Sequence, residues 1–568
     1  MQAHRQARRL TVIPSWDRRT KPLEDSRAKE LCRIGSSLFT KKLPYDSLCQ
    51  DIAENYYPLR SDFTRTLQLG DDFTNQLMES FPVQARETLG NAPGAMLRQG
   101  DWFAVKTGIE AIDEQPNVAR WLESATRLYR RQVYDRRANF VSATTEADHD
   151  WVTFGNAVLS VGESPDRDHM LFNAWHPRDC AWMLNEVGKV DHLQRKMKMT
   201  ARNLCRKYKD KVHQEIKTAC EKDPSTEFDI RHIVLPMEDL YGSDKAMRRR
   251  YAKFPFLSVY VDVAHEMILG EGGLPVFNYV VPRWRTLSNI VQGFSPATIN
   301  SLPDGRMIQS MARIILEQGE KAVDPPVVAK GDIFRDAVNL YAGGMTYVDI
   351  EDDADLRKLF QAVESGNVSI GMEMKKDVRE MISEAFLLNK LFLPDTREMT
   401  AYETSQRVAE FRRAALPFFG PIESEYHLPL LDVGFQLAIH NQQIDFGDIP
   451  DELDGAETTF TFDSPLNTAE GRALVSSFQE SVQILAGAAN FDKTIPSTMD
   501  FKQMTKDAVK GTGAPADWFL DEEQAASVEE QQKNVDGLTT AAAALREGAG
   551  VATDVAGASV ALRQAGLV

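Results

Sequence analysis

Cysteine is scarce in this chain: Cys32, Cys49, Cys180, Cys205 and Cys220 are the only five in 568 residues, and none forms a Cys-x-x-Cys pair. That excludes a disulfide framework and a zinc ribbon, and leaves reduced thiols as the expectation. Long apolar runs are missing too. No stretch of about 18 apolar residues occurs, so no helix is expected to span a bilayer. The opening MQAHRQARRLTVIPSWDRRTK has no apolar core and is not expected to act as a secretory signal. The motifs of common chemistries are absent as well. There is no G-x-x-x-x-G-K-[ST]; Gly155-Asn-Ala-Val-Leu-Ser-Val-Gly162 lacks the lysine that would reach phosphates. His265-Glu266 has no second histidine one helical turn on, and no G-x-S-x-G occurs. Gly270-Glu-Gly-Gly273 lacks the strand-to-helix setting of a dinucleotide fingerprint, and the carboxylates Glu351, Asp352, Asp353 and Asp355 read as a solvated loop or helix start. No catalytic residue, metal site or cofactor is expected.

What is present is a large acidic chain of ordinary globular composition. Its length calls for several lobes, and 43% hydrophobic with 26% charged residues excludes a disordered chain. The formal net charge of −17 argues against tight wrapping of nucleic acid, which needs many lysine and arginine contacts to phosphate, and is compatible with DNA sliding past. Arg5, Arg8, Arg9, Arg18, Arg19 and Lys21 stand against Asp17 alone, a solvated basic arm or a contact with nucleic acid or an acidic partner.

The periodicity predicts an α+β, mainly helical protein. Residues 24–140 read as helical, with Asp46–Tyr57 and Gln76–Leu89 divided by Pro58, Pro82 and a Pro93-Gly94 turn. Residues 141–290 are richer in Val, Phe and Tyr. There 154–163 reads as a strand, 254–284 as a hairpin turning at Gly270–Gly273, and Lys196–Glu221 as a basic helix. From Leu302, with Pro303 at a first helical position, Met307, Ile308, Met311, Ile314 and Ile315 form an apolar stripe that Asp324-Pro325-Pro326 ends. Strand-like pieces at 326–329 and 345–350 follow. A second helix then carries Met374, Val378, Met381, Ile382 and Ala385 in register. Helices of some 20 residues would each be roughly 30 Å long. The last hundred residues are Ala- and Gly-rich, with helices expected at 469–488 and 514–532.

The densest signal is Leu393–Leu431. Thr400-Ala-Tyr-Glu403 reads as a capping box, in which the threonine hydroxyl takes an orphan amide and the glutamate reaches back. The helix it opens holds Pro417, Pro421 and Pro429, each of which removes a donor and must kink or divide it. Arg397-x-x-Thr400-Ala-x-Glu403 resembles the signature of the podovirus head-to-tail connector, or portal, family. Looser likenesses run in order along the chain: Ile52-Ala53 with Tyr57-Pro58, Trp102-Phe103, Phe154-Gly155 with Ala157, Arg283-Trp284 before Gly293 and Pro296, Leu302-Pro303-Asp304, Pro325-Pro326, and Gly513-Ala-Pro515 before Asp521-Glu522-Glu523. Val291–Ser295 departs from the family's tyrosine- and glycine-richer turn.

The resemblance implies a portal fold: a wing over 1–295 with a β-rich part at 141–290, stem helices at 296–323 and 352–387, a clip at 324–351, a channel loop at 388–398, a long kinked wing helix at 399–455, and a crown at 456–568. It implies a closed ring, commonly of about twelve subunits, at one capsid vertex. Double-stranded DNA would pass through its channel during packaging and ejection. The terminase large subunit and then tail adaptor or nozzle proteins would dock below, and the ring would meet the major capsid and scaffolding or internal core proteins. Lys390, Leu391, Phe392, Leu393 and Arg397 would line the channel loop, Thr400 and Glu403 would cap the helix behind it, and Pro325, Pro326, Lys330, Arg335 and Tyr341 would serve docking at the clip. Three adjacent apolar residues in a loop want a neighbouring subunit or a constriction to fill. The competing readings are an internal scaffold or core protein of a virion, which would form no ring of fixed number, and an enzyme, which would show turnover.

Overall fold

The computed structural model describes residues 26–324, apart from 69, 71–73, 75–76, 99–100, 114, 165, 167 and 243, and then 327–330, 345–348, 360–362, 368–388, 420–441, 449–453, 458–462, 475, 477–485, 504–505 and 508–509. The basic arm lies outside the described residues. The elements in order are α1 (Ser26–Tyr56), α2 (Phe81–Leu97), β1 (Phe103–Lys106), α3 (Glu110–Asp113), α4 (Pro116–Val133), α5 (Phe140–Phe154), β2 (Leu159–Glu163), β3 (Met170–Ala174), β4 (Cys180–Leu184), β5 (Val190–Thr200), α6 (Ala201–Tyr208) and α7 (Gln214–Lys222). They continue with β6 (Glu227–Pro236), α8 (Met237–Tyr241), α9 (Lys245–Arg250), β7 (Phe256–Asp262), β8 (Met267–Leu274), β9 (Tyr279–Val280), α10 (Pro296–Val323), β10 (Val327–Lys330), β11 (Met345–Val348), β12 (Phe360–Ala362), α11 (Val368–Ala385), α12 (Leu428–His440) and β13 (Thr459–Phe462). The described residues are thus α+β and mainly helical.

The chain divides into two compact units: Met1–Ala104 with Thr126–Asp445 and Thr459–Asn467, and Val105–Ala125 with Phe446–Thr458 and Thr468–Val568. In the smaller unit the Thr107 amide and hydroxyl both donate to Asp113, at 2.9 and 2.7 Å, while Val118 and Leu122 are buried.

The larger unit is organised by an antiparallel sheet in the order β4-β5-β6-β7-β8. One face packs Ile233, Leu235, Val259 and Val261 against Ala28, Leu31 and Cys32 of α1. Gly35 is what lets this helix come so close. A Cβ there would collide with the side chains of Gln194 and Arg231, which instead reach past it to donate to the carbonyls of Leu31 (3.2 Å) and Cys32 (3.0 Å). Trp182, Leu193 and Val234 pack with Val158, Phe277 and Val281 in a second cluster. α6 and α7 place Leu204 and Ile216 on Ile230 and Leu269. All five cysteines are free; burial pushes the thiols of Cys49 and Cys180 up to about 12.

Four expectations are corrected here. Lys196–Glu221 is not one helix: its alternation Lys196-Met197-Lys198-Met199 has period two, and these residues belong to β5, paired with β6 before α6 begins. The 254–284 hairpin turns at 263–266, not at the glycines. Buried Asp262 accepts the amides of Ala264 and His265 there, and Glu266 takes φ +49°. Gly270 and Gly273 sit inside β8, where they leave room for the rings of Tyr208 and Phe254. Pro93-Gly94 lies within α2 and makes no turn. Pro303 is likewise internal, because Ser295 caps α10 and Pro296 takes its first position. The other strand assignments at 326–329 and 345–350 correspond to β10 and β11, which pair in parallel, with β12 antiparallel on the other side.

The start of α10 is fixed by the end of α5. Ser295 accepts the Thr298 amide and donates to the Val152 carbonyl at 2.5 Å, and the Thr298 hydroxyl donates to Thr153 at 2.7 Å. Gly155, with φ +77°, caps α5 against the backbone of Phe294 and Ser295, where a Cβ would not fit. Asn156 exchanges hydrogen bonds with Gly293.

Candidate assembly surface on the paired long helices

α10 and α11 lie side by side, close enough that a Cβ on Gly371 would stand 3.2 Å from Ile315. Their roots are held firmly. Tyr56, the last residue of α1, donates to the Ser301 carbonyl and meets Phe386 with ring centroids 5.3 Å apart. The segment before α2 then clamps both helices. The Gln309 side chain accepts the amides of Met78 and Glu79 at 2.7 and 2.9 Å and donates to the Glu79 carbonyl at 2.8 Å. The Glu79 carboxylate, meanwhile, pairs with Lys375 at 2.5 Å and Arg379 at 2.7 Å of α11. Burial works to raise the Glu79 pKa, but the bonds and charges of Lys375 and Arg379 win and hold it below its ordinary value.

Each expected stripe splits into two faces. Ile308 and Ala312 of α10, Val378 and Ile382 of α11, and Phe386 just after it are buried within the chain. Met307, Ile314, Leu316 and Val323 on one helix, and Ile370, Met372, Met374 and Met381 on the other, are exposed, Met372 at 62% and Val323 at 89%. Scattered single apolar residues at a surface are normal. Here they fall on opposite sides of each helix, Met307 and Ile314 against Leu316 and Val323 on α10, and Met372 against Ile370, Met374 and Met381 on α11.

A second set of groups ties the helix at 420–440 to the core of the larger unit. Residues 420–440 are helical with a π turn at Glu423–His427, where the Leu428 amide reaches back five residues to Glu423. The break falls between Pro421 and Pro429, as the missing donors require. His427 is buried against Trp102 (4.8 Å between ring centroids) and 3.3 Å from Arg98, which pairs with fully buried Asp148 of α5. Burial, and then the Arg98 charge, push the His427 pKa far down, so the ring is neutral. Arg283 binds Glu425 from the other side at 3.1 Å.

A family model described as "Bacteriophage head to tail connecting protein" matches residues 28–520 of this chain. The chain belongs to that connector family. It is a structural component of the phage virion, at the junction of head and tail.

The connector is 22% identical over 542 residues to the "Probable portal protein" of Bordetella phage BPP-1, across 93% of this chain and 95% of that protein. It is 21% identical over 522 residues to the "Portal protein" of Salmonella phage epsilon15, across 90% and 92%. A chain from the structure titled "Neck of empty GTA particle computed with C6 symmetry" overlaps 72% of this connector and 87% of its own length at 9% identity, with a TM-score of 0.33, too loose to place any element.

Of the connector's expected site residues, Lys390, Leu391, Phe392, Leu393, Arg397, Thr400 and Glu403 lie outside the described residues, as do Pro325, Pro326, Arg335 and Tyr341. Lys330 ends β10, in register with Val348. The Glu79 clamp and the Arg98–Asp148 pair were not legible as sites: neither shows a motif, and their partners lie roughly 300 and 50 residues away. Among the described residues no helix is long and apolar enough to cross a membrane.

Proposed function

We propose that this connector is the portal subunit: a closed ring of about twelve copies at one capsid vertex, through which double-stranded DNA enters during packaging and leaves during ejection. The observation that carries the reading is the run of exposed large apolar side chains on opposite sides of α10 and α11. The helices are rigidly rooted by Tyr56 and Glu79, yet eight large apolar side chains remain at the surface. Covering each would contribute about 1.5–3 kcal/mol, and heterologous contacts with the copies on either side would cover both sides without leaving an edge once the ring closes. In this reading α10 and α11 belong to the stem, β10 and β11 fall in the 324–351 clip, where the terminase large subunit docks first and tail adaptors later, and residues 456–568 form the crown. β12 at Phe360–Ala362 interrupts the expected 352–387 stem helix, whose described helical part is α11. Capsid, scaffolding or core proteins surround the wing. The acidic balance of the chain suits a wall that DNA slides past.

Mass measurement and negative-stain imaging of the purified chain test this directly. The expected particle is a ring of about a dozen copies with a hole near DNA width. Monomers or open filaments would overturn autonomous ring closure and favour a scaffold or core protein.

A further inference from the structure

The sequence offers His265 no second histidine one helical turn away, yet the fold supplies one from elsewhere. His213 stands immediately before α7, and His265 lies in the turn between β7 and β8; their rings stack with centroids 3.9 Å apart. Glu215, at the second position of α7, places its carboxylate 3.0 Å from the His265 Nε2. One ligand-type atom from each of His213, Glu215 and His265 lies within 4.8 Å of the others.

We propose that His213, Glu215 and His265 form a binding site for a divalent transition cation of the zinc type. Two imidazoles and a carboxylate are the donor set such ions take, and drawing these atoms to the roughly 3.3 Å spacing of tetrahedral zinc needs only side-chain movement. The site has the outer support a metal histidine requires. Asp262 is fully buried, receives the amides of Ala264 and His265 on one oxygen, and holds the His265 Nδ1 at 2.7 Å with the other. This orients the His265 ring with its Nε2 toward Glu215. The bond by which the His213 ring accepts the Glu215 amide is long, 3.3 Å, so releasing it to a cation costs little. Glu215 is exposed and both histidines are half-buried, which leaves a path for the ion and an open fourth position for water. The cation would lock the first turn of α7 to the β7–β8 turn. It would thereby fasten the α6–α7 excursion, which otherwise rests on Leu204, Ile216, Ile230 and Leu269.

Calorimetric titration of the metal-free full chain with zinc chloride tests the site. The expected result is one zinc per chain in the low micromolar range or tighter, with a zinc-dependent rise in melting temperature. Glu215→Gln and His213→Gln, both on accessible side chains, should weaken that step at least tenfold and abolish the thermal shift. Asp262→Asn should weaken it by about 10–100-fold through the His265 ring, provided circular dichroism matches the parent. No saturable zinc binding in this range, or binding unchanged in Glu215→Gln and His213→Gln, would overturn the proposal. It would leave His265 as a plain ion-pair partner of Asp262 and Glu215.

Discussion

The Tyr56 phenol occupies the place of a Gly305 side chain: a Cβ built on Gly305 would lie 2.6 Å from the Tyr56 oxygen. That oxygen donates to the Ser301 carbonyl at 2.5 Å and lies 2.8 Å from the Ser301 hydroxyl, one turn earlier on α10. Tyr56 is fully buried, so it has nowhere to retreat. A single tyrosine at the end of α1 thus sets how deep α10 seats, and through its contact with Phe386 it also fixes the end of α11.

Gly305→Ala therefore tests the seat. Alanine gains about 0.5–1 kcal/mol of helix preference over glycine, but overpacking a closed site costs about 1–3 kcal/mol. The expected net effect is destabilisation of about 1 kcal/mol, read from the midpoint of chemical denaturation. Tyr56→Phe/Gly305→Ala, which removes the clashing oxygen, should recover part of the loss. A single variant as stable as the parent would show that α10 is not seated by this contact.

Glu79 should make the clamp on α10 and α11 sensitive to acid. Its folded pKa lies below the ordinary 4.5, so its stabilisation is present above about pH 4.5 and is lost as pH falls through the lower folded value. Glu79→Gln should lower stability by up to about 1 kcal/mol near neutral pH, because Lys375 and Arg379 are partly solvated. The gap between parent and variant should close on acidification below pH 4.5. A gap that stays constant from neutral pH into that range would mean the charge contributes nothing.

Arg98 and Asp148 form a buried pair with little water to replace either partner. The Asp148 charge keeps Arg98 protonated despite its burial. Arg98→Met should cost about 3–5 kcal/mol, since it strands the carboxylate. Adding Asp148→Asn should restore part of that stability. A double variant destabilised by the full sum of the singles, in equilibrium denaturation, would show that the two residues do not interact.

Much of this architecture was legible because it repeats at short range. The spacing of Val378, Ile382 and Ala385 predicts α11, and Pro421 with Pro429 predicts an interruption that the π turn at Glu423–His427 supplies. What could not be read was set by distant partners. Lys196–Thr200 is basic enough to pass for a helix, and only pairing with Glu227–Arg231 makes it a strand. The glycines of β8 look like a turn until Tyr208 and Phe254 are seen to fill the space they leave. Which side of each stripe would face outward was equally hidden, since periodicity marks apolar positions but not which of them meet Glu79, Tyr56 and Phe386.

If these exposed side chains join neighbouring copies, Met372→Ser/Met374→Ser, which removes one from each side of α11, should leave the fold unchanged while weakening assembly. Both side chains are more than half exposed and touch little within the chain, so the monomer loses little. Each loss at a covered contact is worth about 1.5–3 kcal/mol, and it recurs at every interface of a ring. Sedimentation should show the ring giving way to smaller species at lower concentration. Rings as stable as the parent's would place the contact elsewhere.

The final prediction concerns DNA retention and follows from the proposed channel role of 388–398. Lys390 and Arg397 supply two positive charges, offset by Asp395 and Glu398, so phosphate would be touched without being held. Leu391, Phe392 and Leu393, three adjacent apolar residues in the sequence between them, would narrow the passage as a valve in that role. Replacing the three with glycine and serine should spare ring formation, because the contacts proposed for α10 and α11 would be untouched. It should instead lower the fraction of packaged genome that stays in the head after the motor leaves. Nuclease-protected DNA per particle measures this, with ring integrity checked by imaging. Full retention in intact rings would remove the valve while leaving the portal reading standing; loss of the rings themselves would instead assign these residues to assembly.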